Sequence, residues 1–517
     1  MSDGSTPTPL VLDSAGRLYL QRYAAYEREL AAVLLERARA PLALDPQRLR
    51  EPLARWLGTG APSLDPRTMA ACVALFQRLA VICGGPGTGK TTLVVRILAL
   101  LQEQALTESE TPLDVLLLAP TGKAAQRLGT SVARGLDELG LDERLRASIP
   151  REASTIHRAL GRRRAGTGRF RQEARDLLPA DVVVVDEVSM VDLVLLHQLV
   201  MRVRPEARLI LQGDKDQLAS VEAGAILGDI YAAGAARRWS PAWLARVREA
   251  IPHAGAAVAA TSSELARGEP GLGDCLVSLE ESYRYAADSG IGQLARAINE
   301  GDARAALAVL ESGAEECRRI EPAVQLSNAG SRLEQLARAG YAPFIQSRDP
   351  EEKLARLEAY RILCAHRQGL EGVERLNRQV EHWLGRARLI EPDGPYYENR
   401  PLLITQNDYT LGLFNGDVGV VVRDGRGRLR ACFAGARGLR FFAPGRLPPH
   451  ETVFAMTVHK SQGSEFDAVS VVLPLEASPL LGRELLYTAV TRARKRVDVF
   501  ASRAVLSAAV SRPVRRA

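Results

Sequence analysis

Cysteine is scarce in this sequence, and no cysteine lies in a pattern typical of metal binding or redox chemistry. The 517 residues include six cysteines and seven histidines, without a CxxC pair, an HExxH sequence or zinc-finger spacing. This argues against a zinc site and a disulfide framework, and it predicts buried free thiols. The six are Cys72, Cys83, Cys275, Cys317, Cys364 and Cys432.

Long hydrophobic runs are missing as well. No apolar run approaches the roughly 20 residues that span a bilayer, and the polar stretch Met1 to Pro9 lacks the basic-then-apolar layout of a signal peptide. We therefore expect a cytoplasmic protein without a membrane partner. A chain of 517 residues is too long for a single hydrophobic core, so two or three domains are expected.

From about residue 64 onward the sequence alternates between apolar strands and helices. Continuous apolar strands separated by helices are typical of parallel sheets covered on both faces. A second region of this kind is predicted to start near 276–285. The other predicted strands lie at 79–83, 115–120, 182–187, 208–214, 360–366, 468–474 and 496–500.

The predicted fold class is α/β with three domains. Residues 1–62 are expected to form small helices, because Leu18, Tyr19, Leu20 and Tyr23 follow a helical period. Short strands between glycine-rich turns such as DGRG predict a small antiparallel barrel inserted at about 400–452. The two parallel-sheet domains are predicted at 63–262 and 263–517, joined by an alanine-rich stretch around 232–262.

The sequence GGPGTGKT matches the GxxxxGK[ST] phosphate loop, and it stands between a predicted strand and a predicted helix. Glycines allow the backbone to wrap phosphates, so that N–H groups and the helix N-terminus face negative charge. Lys90 is expected to reach the β- and γ-phosphates of ATP, and Thr91 to bind Mg²⁺ through its hydroxyl. The predicted nucleotide-binding residues of this segment are Gly84, Gly85, Pro86, Gly87, Thr88, Gly89, Lys90, Thr91 and Thr92.

An acidic pair ends the predicted strand VVVVDE. Asp186 can hold hydrated Mg²⁺ there, and Glu187 is the candidate base that orients and deprotonates the attacking water. Such a pair can also cap a helix. At the end of a parallel strand in a phosphate-loop domain, however, it predicts catalysis.

Hydrolysis also needs positive charge on the developing γ-phosphate, and two arginines of the second domain are candidates. Arg284 lies in LEESYRY and Arg492 in YTAVTRARKR. An isolated arginine is more often a surface ion-pair partner, whereas two domains that enclose one nucleotide use such arginines to couple hydrolysis to domain closure. Gln217, in QGDKDQLASV, is a candidate sensor of the γ-phosphate or the attacking water, and a plain β-turn is the alternative.

Small side chains that donate hydrogen bonds, together with stretches rich in basic residues, indicate a polyanionic partner. In TVHKSQGSEFD, Ser461 and its neighbours can bind phosphates of a DNA strand or of ATP, while His459 alone is more often a packing residue. The net charge is +7, and residues 151–175 contain eight arginines against two glutamates. Residues 492–517 contain eight basic residues against one acidic residue. Such runs are usually solvated surfaces, but beside a nucleotide site they gain weight as DNA-facing surfaces.

The order of these segments resembles superfamily 1 helicases of the RecD-like branch. The segments look like motifs I, Ia, Ib, II, III, IV, V and VI in family order, and NDYTLGLFNGDVG is similar to a stretch typical of the branch. The resemblance implies two RecA-like domains and identifies the barrel as SH3-like. In order, the eight segments are GGPGTGKT, APTGKAAQRL, STIHRALG, VDEVSMVD, LQGDKDQL, ESYRY, MTVHKSQGSEF and LYTAVTRAR.

The resemblance also implies an activity, cofactors and partners. It implies an ATP- and Mg²⁺-dependent helicase that moves 5′→3′ on single-stranded DNA, with Gly463 and Glu465 at the nucleotide. The N-terminal segment looks like one that docks on RecB-like and RecC-like subunits in a heterotrimer, and any nuclease site would lie in another chain. The implied DNA contacts are Pro120, Thr121, His157, Thr457, His459 and Ser461.

One position departs from the family pattern. Members of the branch usually place a glutamine, which reads adenine, 17 residues before the first glycine of the loop, where this chain has Arg67. Arginine has no acceptor for the adenine amino group, but it can donate to O6 and N7 of guanine. Arg67 is therefore a candidate contact to the base, with a side chain turned to solvent as the alternative.

Other function classes stay open at this point. A nucleotide-gated scaffold would bind ATP and DNA without translocating, and the intact catalytic set argues against it. A stand-alone RecD-like helicase or the helicase module of a relaxase is a further alternative, and SYRY and NDYTLGLFNGD argue against the relaxase.

Overall fold

The structure is a computed structural model. It describes residues 8–14, 16–58, 65–161, 177–220, 222, 224–235, 239–252, 271–285, 289–322, 330–435 and 438–513. The chain divides into two compact units, of which the first extends to Lys215 and from Ala219 to Tyr283, and the second contains Asp216–Leu218 and Arg284–Arg515. The domain boundaries predicted near 62 and 262 lie outside the described residues, as does most of the basic run 151–175.

The first unit begins with a two-stranded hairpin and a long helix. Strands β1 (Leu10–Leu12) and β2 (Leu18–Leu20) are antiparallel and are followed by α1 (Gln21–Ala38). The helical period predicted for Leu18, Tyr19 and Leu20 was therefore wrong, whereas Tyr23 lies in a helix as predicted. Leu18 and Leu20 follow the two-residue period of a β-strand. Each of them pairs with a leucine at one end of β1.

A six-stranded parallel sheet forms the centre of the first unit. Alternate residues of each strand face opposite layers of helices, so that Ala80 and Ile82 enter one core while Leu79 and Val81 enter the other. The strands are β3 (Leu79–Gly84), β4 (Val115–Ala119), β5 (Ser154–Thr155), β6 (Val182–Val185), β7 (Arg208–Gly213) and β8 (Leu276–Leu279), in the spatial order β5-β4-β6-β7-β3-β8. The helices after α1 are α2 (Arg50–Leu57), α3 (Pro66–Phe76), α4 (Lys90–Glu108), α5 (Gly122–Glu138), α6 (Glu143–Ala147), α7 (Ile156–Ala159), α8 (Leu193–Val200), α9 (Ile226–Ala235) and α10 (Pro241–Ala250).

Strand β8 corrects one expectation. The sequence predicts that 276–285 opens the second parallel region, whereas β8 pairs with β3 at the edge of the first sheet. Its side chains contribute to the two cores of the first unit, with Val277 and Leu279 in one and Leu276 in the other. The segment after β8 therefore starts beside the phosphate loop.

The second unit is built on a five-stranded parallel sheet. Its strands are β9 (Cys317–Ile320), β10 (Tyr360–Cys364), β16 (Ala455–Thr457), β17 (Phe466–Val472) and β18 (Ala493–Phe500), in the order β16-β10-β17-β18-β9. Its helices are α11 (Gly290–Glu300), α12 (Ala303–Glu311), α13 (Arg332–Gln346), α14 (Pro350–Leu357), α15 (Val373–Arg386), α16 (Arg483–Val490) and α17 (Arg503–Ser511). The two RecA-like parallel sheets predicted from the sequence are thus confirmed.

An antiparallel sheet is inserted between β10 and β16. It has a small core of its own, to which Leu402, Val421 and Phe433 contribute. Its strands are β11 (Pro401–Ile404), β12 (Val418–Arg423), β13 (Leu429–Gly435), β14 (Gly438–Phe442) and β15 (His450–Thr452), in the order β14-β13-β12-β11-β15. The inserted antiparallel element is as predicted, and its SH3-like character stays a prediction.

All six cysteines are buried and free, as predicted. Among the described residues, no helix is both long and apolar enough to cross a membrane.

Candidate nucleotide-binding site

The phosphate loop joins β3 to α4 in the first unit. Gly87 and Gly89 have φ values of 79° and 80°, in the left-handed region that favours glycine. Gly89 caps α4, so the helix begins directly at the loop. Lys90 Nζ donates to the carbonyls of Gly84 and Gly85 at 2.5 and 3.1 Å, which keeps the ammonium group folded over the loop.

This cradle fits a chain of phosphates. A Cβ on Gly84 would lie 2.7 Å from Thr88 Oγ1 and 3.1 Å from the Leu279 carbonyl oxygen, so the close backbone path requires glycine. The first N–H groups of α4 lack partners within the helix, and the positive end of its dipole faces the loop. Together with the Lys90 ammonium, these groups match the charge of a nucleoside triphosphate.

The two carboxylates follow β6 at the same edge of the sheet as the loop. Desolvation and the neighbouring Glu187 raise the pKa of Asp186 to about 6, although Lys90 acts in the opposite direction. A desolvated carboxylate with an adjacent carboxylate is stabilised by a bound cation, so this pair and the Thr91 hydroxyl fit Mg²⁺.

Glu187 has an unusual backbone conformation. Its φ and ψ of 54° and 43° lie in the left-handed region, which residues other than glycine rarely adopt. The chain leaves β6 there and enters the short 3-10 helix Val188–Met190. Strained residues of this kind cluster at functional sites.

Arg67 and Tyr283 form a pair beside the loop that the sequence did not reveal. The Arg67 Cζ atom lies 3.9 Å from the centroid of the Tyr283 ring. The Tyr283 N–H donates to the Gly87 carbonyl at 2.8 Å, and the Ser282 hydroxyl donates to the Pro86 carbonyl at 3.0 Å. The sequence signal that could have identified Tyr283 is its position next to Arg284 in the ESYRY segment.

The second unit brings its two candidate arginines together. Arg284 Nη2 lies 2.7 Å from Glu465 Oε1, and both side chains are largely buried. Arg492 donates from Nη1 to the Ser464 carbonyl at 3.2 Å. Burial raises the pKa of Tyr285, and the charges of Arg284 and Arg492 partly offset this effect. The cluster therefore unites residues from motifs IV, V and VI.

The segment that carries Gln217 is fastened to this same unit. The Leu218 N–H donates to Thr488 Oγ1 at 2.8 Å, and Gln462 Nε2 donates to the Leu218 carbonyl at 2.6 Å. Gln217 itself is 5% exposed. Thr488, the third residue of LYTAVTRAR, could not be selected from the sequence alone.

The candidate DNA contacts of the first unit lie at the carboxyl ends of neighbouring strands. Pro120 and Thr121 follow β4, and His157 follows β5, which is the parallel neighbour of β4. All three residues are half-buried. Thr121 Oγ1 also accepts the N–H of Ala124, which fixes the start of α5.

The candidate contacts of the second unit follow β16. Thr457 and His459 are half-buried. Ser461 is fully buried, and its hydroxyl donates to the Val458 carbonyl at 2.7 Å. Gly463, with a φ of 70°, lies between this turn and Glu465.

Comparisons with known proteins agree with this architecture. The family described as an AAA domain matches residues 68–223, and the UvrD-like helicase C-terminal domain matches residues 452–499. The RecBCD enzyme subunit RecD of Mycolicibacterium smegmatis is 43% identical over 507 residues, which cover 97% of this chain and 81% of that protein. The ATP-dependent RecD2 DNA helicase of Deinococcus radiodurans is 30% identical over 428 residues, covering 81% of this chain and 46% of that protein. The chain therefore belongs to the RecD family of DNA helicases.

Proposed function

We propose that this chain is the ATP-driven motor subunit of a RecBCD-like helicase–nuclease, that it moves 5′→3′ on single-stranded DNA, and that it acts in double-strand break repair and recombination. The observation that carries the proposal is the grouping of the phosphate loop, Asp186 and Glu187 at one edge of the first sheet. The 43% identity to the mycobacterial RecD subunit supports the assignment to such a complex.

Each candidate catalytic residue of the first unit has a defined task in the proposed ATP hydrolysis. Lys90 offsets the charge of the β- and γ-phosphates, and Thr91 and Asp186 would hold Mg²⁺, which neutralises phosphate charge when bound. Glu187 accepts a proton from the water that attacks the γ-phosphorus, and the bond from that phosphorus to the ADP oxygen breaks. The products are ADP and inorganic phosphate.

Two variants test this assignment. Lys90→Gln is expected to abolish DNA-stimulated ATPase, because the positive charge on the β- and γ-phosphates is lost. Glu187→Gln is expected to retain ATP binding but to stop turnover, because the amide cannot accept the proton. Turnover equal to the wild type in either variant would refute the assignment. ATP binding without DNA-stimulated turnover in the wild type would instead indicate the scaffold function.

The DNA-binding proposal rests on half-buried polar residues at strand ends and on a net charge of +7. Binding is expected to be dominated by phosphate contacts, weakly sequence-specific and steeply dependent on salt. The polarity is tested with tailed duplexes in the presence of ATP. A duplex with a 5′ tail should be unwound, and unwinding of the 3′-tailed substrate alone would contradict the proposed direction.

The N-terminal hairpin supports the proposal that this chain binds partner subunits. Leu10, Leu12, Leu18 and Leu20 are 38%, 42%, 58% and 49% exposed and belong to two paired strands, with Leu10 opposite Leu20 and Leu12 opposite Leu18. Four exposed leucines on so small an element are an apolar surface that a soluble monomer rarely leaves uncovered. We propose that a RecB-like or RecC-like subunit binds this surface.

The assignment predicts that the double variant Leu12→Ser/Leu18→Ser loses co-purification with the co-expressed partner subunits and keeps its nucleotide affinity. The matched control is Leu370→Ser/Leu480→Ser, which alters leucines of the second unit that are 60% and 68% exposed. Full recovery of the partners with the hairpin variant would contradict the proposed docking surface.

A further inference from the structure

Gln212 is a buried polar side chain that the proposed hydrolysis does not use. It lies in β7 and is 0% exposed, and neither its Nε2 nor its Oε1 atom has a hydrogen-bond partner among the described residues. An unpaired amide in the interior costs free energy, so a glutamine of this kind calls for a functional explanation. It is distinct from Gln217, the candidate sensor, which belongs to the second unit.

A second buried glutamine of the first unit shows what a structural role looks like. Gln102, in α4, is also 0% exposed. Its Nε2 donates to the carbonyls of Leu113 and Ser148 at 2.8 and 2.9 Å, and its Oε1 accepts the Leu113 N–H at 2.9 Å. Within the part of the chain that the structure describes, Gln212 makes no such contact. Hydrogen bonding within the fold therefore accounts for the polarity of Gln102 but not for that of Gln212.

The register of the sheet places Gln212 beside Asp186. Ile210 of β7 pairs with Val184 of β6, and both side chains enter the same core. Two residues further along, and therefore on the same face, the chain has Gln212 on one side and Asp186 on the other. Burial raises the pKa of Asp186 and the Gln212 side chain lowers it, which is the effect of a hydrogen-bond donor close to a carboxylate.

The same face of the sheet leads into the phosphate loop. On its other side Gln212 pairs with Ile82 of β3, which enters that same core, and Gly84 opens the loop two residues later. Strand β7 lies between β6 and β3 in the sheet. The amide is therefore placed between the strand that ends at Asp186 and the strand that carries the loop. One oxygen of Asp186, Oδ1, accepts the Glu187 N–H at 2.8 Å.

We propose that Gln212 positions the Asp186 carboxylate for Mg²⁺ by donating a hydrogen bond to it from Nε2 in the nucleotide-bound state. The inference rests on the proposed nucleotide hydrolysis and adds a positioning residue to the same site. An ionised carboxylate only accepts hydrogen bonds, so the NH₂ end of the amide faces it. Together with the Glu187 N–H, this second donor fixes the orientation of the carboxylate. Gln212 contacts neither the metal nor the phosphates in this arrangement.

The test replaces Gln212 with methionine, which has a similar length and no donor. Mn²⁺ is the probe of the metal site, and its binding to the full-length chain with ATPγS is measured by electron paramagnetic resonance. Gln212→Met is expected to raise the Kd of Mn²⁺ by roughly 10- to 100-fold, as is usual when a partner of a metal ligand is lost. The Kd of ATPγS in EDTA should stay unchanged, because the phosphate loop is intact. The Mg²⁺ concentration for half-maximal DNA-stimulated ATPase should rise by a similar factor.

Gln102→Met is the matched control, because it removes a buried amide whose partners are backbone groups. It should lower the midpoint of urea denaturation and leave the Kd of Mn²⁺ unchanged, whereas Gln212→Met should not lower that midpoint. An unchanged Kd of Mn²⁺ in Gln212→Met, or a midpoint lowered as much as in Gln102→Met, overturns the inference. A wild type that binds Mn²⁺ with ATPγS but does not hydrolyse ATP would refute the proposed hydrolysis, and weaker Mn²⁺ binding by Gln212→Met would then still support the positioning role.

Discussion

Arg284 is held by a buried ion pair, and we propose that its charge stabilises the transition state of ATP hydrolysis. Its guanidinium contacts Glu465 at 2.7 Å, and the two side chains are 16% and 15% exposed. A positioned charge requires little reorganisation during the reaction and acts mainly on the transition state. We expect Arg284→Ala and Arg492→Ala each to lower kcat by about 10²-fold or more with little change in nucleotide Kd. Rapid-quench kinetics and equilibrium titration measure the two quantities.

The variant Glu465→Gln is the control for Arg284. It removes the ion pair and leaves the Arg284 charge in place. If Arg284 stabilises the transition state, this variant retains more of kcat than Arg284→Ala. Equal losses in both variants would reduce Arg284 to a partner of Glu465, and a loss in Kd alone would make it a ground-state ligand.

A second prediction at the residue scale concerns the hydroxyl of Thr488. This buried oxygen accepts the N–H of Leu218, whose side chain is 2% exposed. Thr488→Val preserves the side-chain shape but leaves that N–H without its acceptor, at a cost of about 1–3 kcal/mol. Hydrogen exchange in peptides that contain Leu218 is expected to accelerate by roughly 5- to 150-fold. Thr488→Ser retains a hydroxyl and should exchange like the wild type, and unchanged exchange in Thr488→Val would contradict the contact.

At the scale of elements, α1 is part of the first unit rather than a detached arm. Leu30, Leu34 and Ala38 belong to one of its cores. Arg37, which is 4% exposed, donates to the carbonyls of Val203, Arg204 and Ala207 at 2.7–2.9 Å. Removal of all residues before 62 would therefore damage the nucleotide-binding unit, which is why the test of partner docking alters only the hairpin.

The docking of α1 can be tested through this arginine. Arg37→Met keeps an apolar stem but leaves three carbonyl groups without their donors, so we expect a loss on the order of 3 kcal/mol. Urea denaturation followed by limited proteolysis should show α1 released at lower denaturant concentration. Arg48→Met, at a side chain that is 78% exposed, is the matched control. Equal denaturation of the two variants would show that α1 is held by its apolar face alone.

The sequence predicted most elements because their signals are local. The apolar strands around 79–84 and 182–185 and the glycines of the phosphate loop read directly from their own residues. The pairing of β8 with β3 could not be predicted this way, because a short apolar strand does not specify its neighbour. The hairpin at the N-terminus was missed for a similar reason, since its pattern becomes evident only against the partner strand.

At the scale of the whole molecule, the chain passes between the two units more than once. Asp216–Leu218 belong to the second unit although residues on both sides belong to the first. Strand–helix alternation predicted the two sheets and the motifs predicted the candidate site residues, but neither signal could show that Asp216–Leu218 belong to the second unit. The grouping depends on contacts of Leu218 with Gln462 and Thr488, which are more than 200 residues away.

The six buried cysteines allow the unfolding of the two units to be followed separately. Cys72, Cys83 and Cys275 lie in the first unit, and Cys317, Cys364 and Cys432 in the second. Burial raises the pKa of Cys72 to about 12 and that of Cys432 to about 11. Because the thiolate is the reactive form, these groups are expected to react with an aromatic disulfide reagent only after local or global unfolding.

This arrangement gives a prediction about where nucleotide binding energy resides. A ligand that binds only the folded state stabilises it, by about 2.7 kcal/mol at a concentration 100 times its Kd. ATPγS with Mg²⁺ should therefore slow the labelling of the first-unit cysteines in moderate urea more than that of the second-unit cysteines, because the phosphate cradle lies in the first unit. Mass-spectrometric mapping of labelled peptides measures both rates in one sample. Lys90→Gln should remove the difference, whereas equal protection of the two sets in the wild type would mean that the second unit contributes as much to ground-state binding as the first.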